Sequence, residues 1–291
     1  MSTIGIVTDT HSSIPQEKAE ELGIAILPMP FVVDGEVRLE GGDLSREEFF
    51  KKQRAGASLT TSQPVPADVM RLWDVQLRKY DTILHFPISS GISGSCETAL
   101  ALADQKPYRD RVFVVDNGRV ATPMYRSILD AMELIEQGYS AKEIKEILEK
   151  NGDKMNILIA VDTLEYLRRG GRISAASSVV GTALNIKPVL YLSTGKLIEY
   201  KKCHGMKAAR RTMIASTKES VAGRMAEGYT EDEIYMMASG SADEKTMVSW
   251  IAEIEEAFPG KEVLSVPLSL GVCCHAGEGT LGVGYSCKPR V

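Results

Sequence analysis

One stretch constrains this chain more than any other. Thr82–Phe86 (TILHF) is a short apolar run, Pro87 follows it, and Ile88-Ser89-Ser90-Gly91-Ile92-Ser93-Gly94-Ser95 then leads into a helix-forming segment over residues 97–104. Such a run reads as a buried strand. Proline ends it, having no amide to give to a ladder. A Ser/Gly loop between a strand and a helix N-terminus is a ready anion site, because unpaired amides and the helix dipole point at whatever sits there. Glycines let the backbone approach a ligand closely, and serine hydroxyls donate without adding charge. The same loop also reads as a small-residue turn with a serine helix cap.

Elements on both sides repeat the strand-then-helix order. Residues 4–8 form a strand ending in Asp9-Thr10-His11-Ser12-Ser13. Ser13-Ile14-Pro15-Gln16 has the form of a capping box, its helix stops at Gly23, and residues 24–27 are the second strand. Residues 31–37 form a hairpin on Asp34-Gly35. Ser45…Glu48 opens a helix towards Arg54. Residues 59–66 are a loop, since Pro64 and Pro66 oppose helix, and 67–79 are an amphipathic helix. Residues 111–115 are a strand, and 124–137 and 140–150 are helices, the latter with a capping box at Ser140…Glu143. This alternation predicts parallel βαβ units in a three-layer α/β/α lobe. It also predicts that the loops after Thr8, Phe86 and Val115 share the ligand-binding edge of the sheet.

The second half reads differently. A strand over 156–161 and a helix over 164–172 that meets Gly170-Gly171 precede a hairpin, 189–192 with 197–201, around Thr194-Gly195. A basic helix over 206–218, a strand–helix–strand series (231–239, 244–257, 262–267) and a last strand over 281–285 follow. The expectation is a second α/β lobe with a mixed sheet, the lobes dividing as 1–155 and 156–291.

Composition narrows the partners. A net charge of −5 disfavours nucleic acid and anionic membranes. The first strand begins at once, with no secretory signal, and no apolar run approaches a membrane span. The five cysteines (Cys96, Cys203, Cys273, Cys274, Cys287) show no CxxC pattern, which fits free thiols in a cytoplasmic protein. Cys273-Cys274-His275 is poorly spaced to chelate one metal ion. No cofactor is expected.

Chemistry concentrates in four stretches: Thr60-Thr61-Ser62-Gln63-Pro64, Ser89–Ser95, Arg168-Arg169-Gly170-Gly171-Arg172-Ile173-Ser174, and His275-Ala276-Gly277-Glu278-Gly279-Thr280. Hydroxyls, one histidine and nearby arginines suit a carboxylate or phosphate held without metal. Each has a structural alternative: an ST-turn at Thr61 and Ser62, a satisfied loop histidine at His275, ion-paired surface arginines, and turn formation at Asp9 and Asp116. Ser93, Asp116 and His275 fall in the chain order of an α/β-hydrolase triad, which leaves a lipid or acyl-phosphate hydrolase using Ser93 and His275 as the second reading. The Gly-x-Ser-x-Gly elbow of that fold is not met, because the second glycine comes one place early. No P-loop is present, and Gly277-x-Gly279-x-x-Gly282 precedes a strand, not a helix.

Taken together and in order, Thr8-Asp9-Thr10-His11-Ser12-Ser13-Ile14-Pro15, Thr61-Ser62-Gln63-Pro64, Ser89-Ser90-Gly91-Ile92-Ser93-Gly94, the Leu164–Ser174 motif, Leu184-Asn185-Ile186-Lys187-Pro188 and His275 with its glycines resemble the DegV family of bacterial fatty-acid-binding proteins. The resemblance implies two lobes with a long-chain fatty acid buried between them. It implies a carboxylate held by Thr61 and Ser93, with His275 near the head group and Ser62 and Gly94 assisting. It further implies a carrier, not an enzyme, that presents the acid to a separate ATP-binding fatty acid kinase subunit. The acyl phosphate would then serve phospholipid synthesis. Arg169, Arg172 and His204 are the positions implied to face that partner. Two departures stand out. Glu278 replaces a usual proline and is expected to raise the pKa of His275 or repel the ligand, and His204 stands where carriers tend to have arginine.

Overall fold

A computed structural model describes residues 3–173, 185–193 and 196–291. Ser174, Leu184 and the Thr194-Gly195 turn lie outside the described residues. The first lobe runs β1 (Ile4–Asp9), a 3-10 turn (Thr10–Ser12), α1 (Gln16–Leu22), β2 (Ile24–Leu27), β3 (Pro30–Val33), β4 (Glu36–Leu39), α2 (Arg46–Arg54), β5 (Leu59–Thr61), α3 (Pro66–Gln76), β6 (Thr82–Phe86), α4 (Ser95–Ala103), β7 (Val112–Val114), α5 (Thr122–Glu136) and α6 (Ala141–Lys150). Strands β2-β1-β6-β7 make an all-parallel sheet. Successive residues alternate faces. Ile6, Leu84 and Phe86 enter the core beneath α5 and α6, while Val7 and Ile83 enter the one beneath α3 and α4. That is the expected three-layer arrangement.

The second lobe runs β8 (Met155–Ala160), α7 (Glu165–Arg169), β9 (Ile186–Ser193), β10 (Lys196–His204), α8 (Met206–Ala226), β11 (Ile234–Gly240), α9 (Glu244–Ala257), β12 (Val263–Pro267), α10 (Leu270–Ala276) and β13 (Leu281–Cys287). Its sheet has the order β10-β9-β8-β13-β11-β12. Among the strand pairs of the described residues only β11–β12 is parallel, so the sheet is mixed as expected.

Several local expectations change. Capping boxes form at Ser45 and Ser140, but Ser13 does not N-cap a helix. It takes a left-handed conformation (φ 58°) closing the 3-10 turn, and α1 begins after Pro15. The stretch read as a loop over 59–66 contains β5, which pairs antiparallel with β3 in a small third sheet, β4-β3-β5. The glycine-rich stretch at His275 opens with helix α10, capped by Ser269, whose Oγ accepts from the Val272 amide.

Two helices tie the lobes together. The Cys273 and Cys274 side chains of α10 pack with Phe31, Phe49 and Phe50 of the first lobe. Glu40 accepts from the amides of Leu270 and Gly271 at 2.8 and 3.1 Å, holding the first turn of α10. At the start of α5, Thr122 donates to the Ala238 carbonyl at 2.9 Å. Arg119, wholly buried, donates to Ser286 Oγ and the Asn151 carbonyl, both at 2.9 Å.

Candidate functional site

The carboxyl ends of β1 and β6 meet at one edge through a single carboxylate. Asp9 Oδ1 accepts from the His11 amide and Oδ2 from the Ile88 amide, both at 2.8 Å. The loop after β7 joins them, since Asp116 accepts from the Ser90 amide at 3.4 Å and the Arg119 carbonyl from the Ser89 amide at 3.0 Å. Both aspartates therefore organise turns.

Against this edge lies a cavity of about 390 Å³ between the lobes. Its walls are largely apolar, with Met29, Ile88 and Val120 on one side and Ile157, Ile159 and Leu192 on the other. Such a volume and lining suit a small apolar ligand anchored by a few polar groups. Those groups gather at one end. Thr61, the last residue of β5, is aligned by its pairing opposite Phe31. His275 stands near the end of α10, and its Nε2 lies 2.9 Å from Thr61 Oγ1. Ser93 sits in the loop before α4, its Oγ 2.9 Å from Ser95 Oγ and accepting from the Ser95 amide at 3.2 Å. Gly94 is the N-cap of α4, and a Cβ there would come 2.6 Å from Gln63 Nε2. Gln63 is held in turn by Thr98, whose Oγ1 donates to Oε1 at 2.7 Å. Ser62 is exposed at the rim. All five residues expected to bind the ligand thus line one cavity.

His275 is held as a neutral imidazole. Burial pushes its pKa from 6.5 down to about 4, and the positive charge of Arg172 and the proximity of His11 act in the same direction. The expectation that Glu278 would raise it is corrected. Glu278 turns to Arg54 of α2, with Nη1 donating at 2.5 and 2.6 Å, so its charge is spent in an ion pair. His275 Nδ1 is buried without a partner and packs onto Gly170, where a Cβ would come within 2.0 Å.

The three residues implied to face a partner separate. Arg169 and His204 are exposed, Arg169 pairing with Glu165 one turn back on α7. Arg172 instead lines the cavity, its Nε donating to the Ile92 carbonyl at 3.2 Å and its Nη1 to Gly170 O at 2.5 Å. Residues to which the sequence reading gave no ligand role also line the cavity, among them His11 of the first motif, Ser239 and Gly271. Their sequence contexts give no signal, because which face of a strand or short helix meets the cavity depends on how the lobes dock. The hydrolase triad is not assembled: His275 bonds Thr61, Ser93 bonds Ser95, and Asp116 bonds an amide. Among the described residues no group of three or more His, Cys, Asp or Glu could hold a metal ion, and no helix is long and apolar enough to cross a membrane.

Known proteins share this architecture. A fatty-acid-binding DegV family protein of Thermus thermophilus superposes with a TM-score of 0.85 at 31% identity, covering 98% of this chain and 99% of its own. The structure of DegV from Bacillus subtilis, described as a fatty acid binding protein, gives 0.82 at 26% identity, with 99% and 100% covered. A DegV domain-containing protein of Caldanaerobacter subterraneus is 28% identical over 292 residues, spanning 99% of this chain and all of that protein. The profile of the DegV family, described as uncharacterised proteins, matches residues 3–288. With that match spanning nearly the whole chain, the chain belongs to the DegV family.

Proposed function

We propose that this protein binds a long-chain fatty acid in the cavity between its lobes. The observation that carries the reading is an apolar cavity with hydroxyls, a neutral histidine and one arginine gathered at a single end. An acid with about fourteen methylenes, at roughly 0.8 kcal/mol each, gains on the order of 10 kcal/mol from burial of its tail. Association and ordering take back several kcal/mol. The carboxylate cannot be buried bare. Thr61, Ser93 and His275, helped by Ser62 and the Gly94 amide at the start of α4, offer donors to it, and Arg172 supplies a positive charge in the wall. The fatty-acid-binding descriptions of the Thermus and Bacillus proteins support the same ligand class.

The protein acts as a carrier and has no catalysis of its own. A serine hydrolase needs its serine within reach of the base, whereas His275 Nε2 is engaged by Thr61. A carboxylate between Ser62 at the rim and the N-terminal end of α4 stays reachable by a separate fatty acid kinase subunit, which would form the acyl phosphate destined for phospholipid synthesis. Exposed Lys201, Lys207, Arg211 and His204 leave a basic surface for an acidic partner near the start of α8.

The test is native mass spectrometry of the freshly purified protein with lipid analysis after denaturation. One fatty acid per chain is expected, falling severalfold in occupancy in the Thr61→Ala, Ser93→Ala double variant. An empty protein that takes up no added fatty acid sinks the ligand assignment, and unchanged occupancy in the variant sinks the site.

A further inference from the structure

The cavity holds a second polar feature, beside Gly271, which lies four residues before His275 on α10. His11 is 6% exposed and lines the cavity wall. Its Nδ1 lies 3.3 Å from Asp9 Oδ1, at an angle that makes no hydrogen bond. Asp9 has its two oxygens committed as acceptors to the His11 and Ile88 amides. A carboxylate so placed favours the tautomer that carries the proton on Nδ1. Nε2 is then a hydrogen-bond acceptor. It packs against Gly271 of α10, where a Cβ would come within 2.6 Å, and it has no protein partner among the described residues. Gly271 precedes His275 by four residues of the same helix, a rise of about 6 Å.

Ser239 is the companion group. It is 3% exposed, lines the same cavity, and its Oγ has no protein partner among the described residues. A short chain of bonds ties it to His11. The His11 carbonyl accepts from the Ala121 amide at 2.7 Å, and the next residue, Thr122, donates to the carbonyl of Ala238, the neighbour of Ser239, at 2.9 Å. The wall around the pair is apolar, with Met29, Ile88 and Leu268.

A plain hydrocarbon tail pressed against this wall would leave an imidazole acceptor and a hydroxyl unpaired, which costs free energy in a dry site. Resting on the fatty-acid reading above, we propose that the preferred ligand is a hydroxylated fatty acid, whose chain hydroxyl donates to His11 Nε2 and accepts from Ser239 Oγ. A ketone lacks the proton that Nε2 needs, so the chemistry selects a hydroxyl over an oxo group.

The experiment is displacement of a fluorescent fatty acid by palmitic acid and by a set of monohydroxypalmitic acids with the hydroxyl at successive positions. One position, or two adjacent ones, is expected to bind about tenfold tighter than palmitic acid, as one well-made hydrogen bond gives. In His11→Phe that ratio falls to about one, and in Ser239→Ala it falls partway. The wild-type ratio needs no variant to fold. If palmitic acid binds and no hydroxy acid surpasses it, or if the preference survives His11→Phe, the hydroxyl assignment is overturned while the carrier reading stands. A water held by His11 gives that same flat ratio. If neither palmitic acid nor any hydroxy acid displaces the probe, the fatty-acid reading itself has failed.

Discussion

At the scale of single residues, the site depends on a glycine that carries no chemistry. Gly170 ends α7 and gives His275 the room its ring occupies, since a Cβ would come within 2.0 Å of Nδ1. No real Cβ tolerates that approach, so the imidazole must swing off Thr61. Gly170→Ala is expected to weaken fatty acid binding by tenfold or more while leaving the cooperative melting transition intact, as checked by fluorescence displacement beside thermal denaturation. Undiminished affinity would mean that the Thr61–His275 contact does not anchor the head group. That Thr61 and Ser93 carry hydroxyls beside glycine or proline was legible in the sequence, and both line the cavity. The role of Gly170 was not, because it exists only in relation to a side chain 105 positions later.

At the scale of elements, helix α5 begins under constraint. Ala121, its N-cap, has φ 54° and ψ −136°, a region that suits glycine and not side chains with a Cβ. It is held there by its amide, which donates a hydrogen bond to the His11 carbonyl at 2.7 Å, and by the docking of Thr122 on Ala238. Ala121→Val should cost about 2 kcal/mol or more, because a β-branched residue is both strained and overpacked there. Ala121→Gly should cost well under 1 kcal/mol, the released strain offsetting the lost methyl group. Thermal melts of the two variants decide it: equal losses of Tm would show that the backbone at Ala121 is not strained. Elements with strong local signals, such as β6 and the boxed helices α2 and α6, were read correctly from the sequence. Strand β5 and helix α10 were missed. Three and seven residues long, they carry too little periodicity, and they form because β3 and the Phe31–Phe49–Phe50 cluster hold them.

At the scale of the whole molecule, buried titratable groups set the response to pH. His85, 2% exposed, packs edge-on to Trp73 with both ring nitrogens unpartnered, and burial lowers its pKa from 6.5 to about 4. His275 is lowered likewise to about 4. Unfolding therefore takes up protons at both sites between about pH 4 and 6.5, and stability present above that window is lost as pH falls through it. Asp130 works in the opposite sense. Burial raises it from 3.8 to about 6 although Arg126 lies 2.8 Å away, so its unfolding releases a proton across much of the same window. Two histidines against one aspartate leave a net loss of stability on acidification. Tm should fall between pH 7 and pH 4.5, with a shallower slope in His85→Leu. A slope that the variant does not change would exclude His85 as a source.

The sequence by itself determined the alternation of parallel strands and helices, the mixed second sheet and the hydroxyl-bearing loops. Those properties rest on local signals: periodicity two or 3.6, proline and glycine as stops, and polar residues out of keeping with their apolar flanks. Only the tertiary structure decided that Glu278 is neutralised by Arg54, that Arg172 turns into the cavity, that His275 is neutral, and that His11 and Ser239 share its wall. Each of those depends on side chains brought together across the two lobes. Charge, burial and hydrogen-bond partners at such a contact are properties of the docked surfaces, which no run of neighbouring residues specifies.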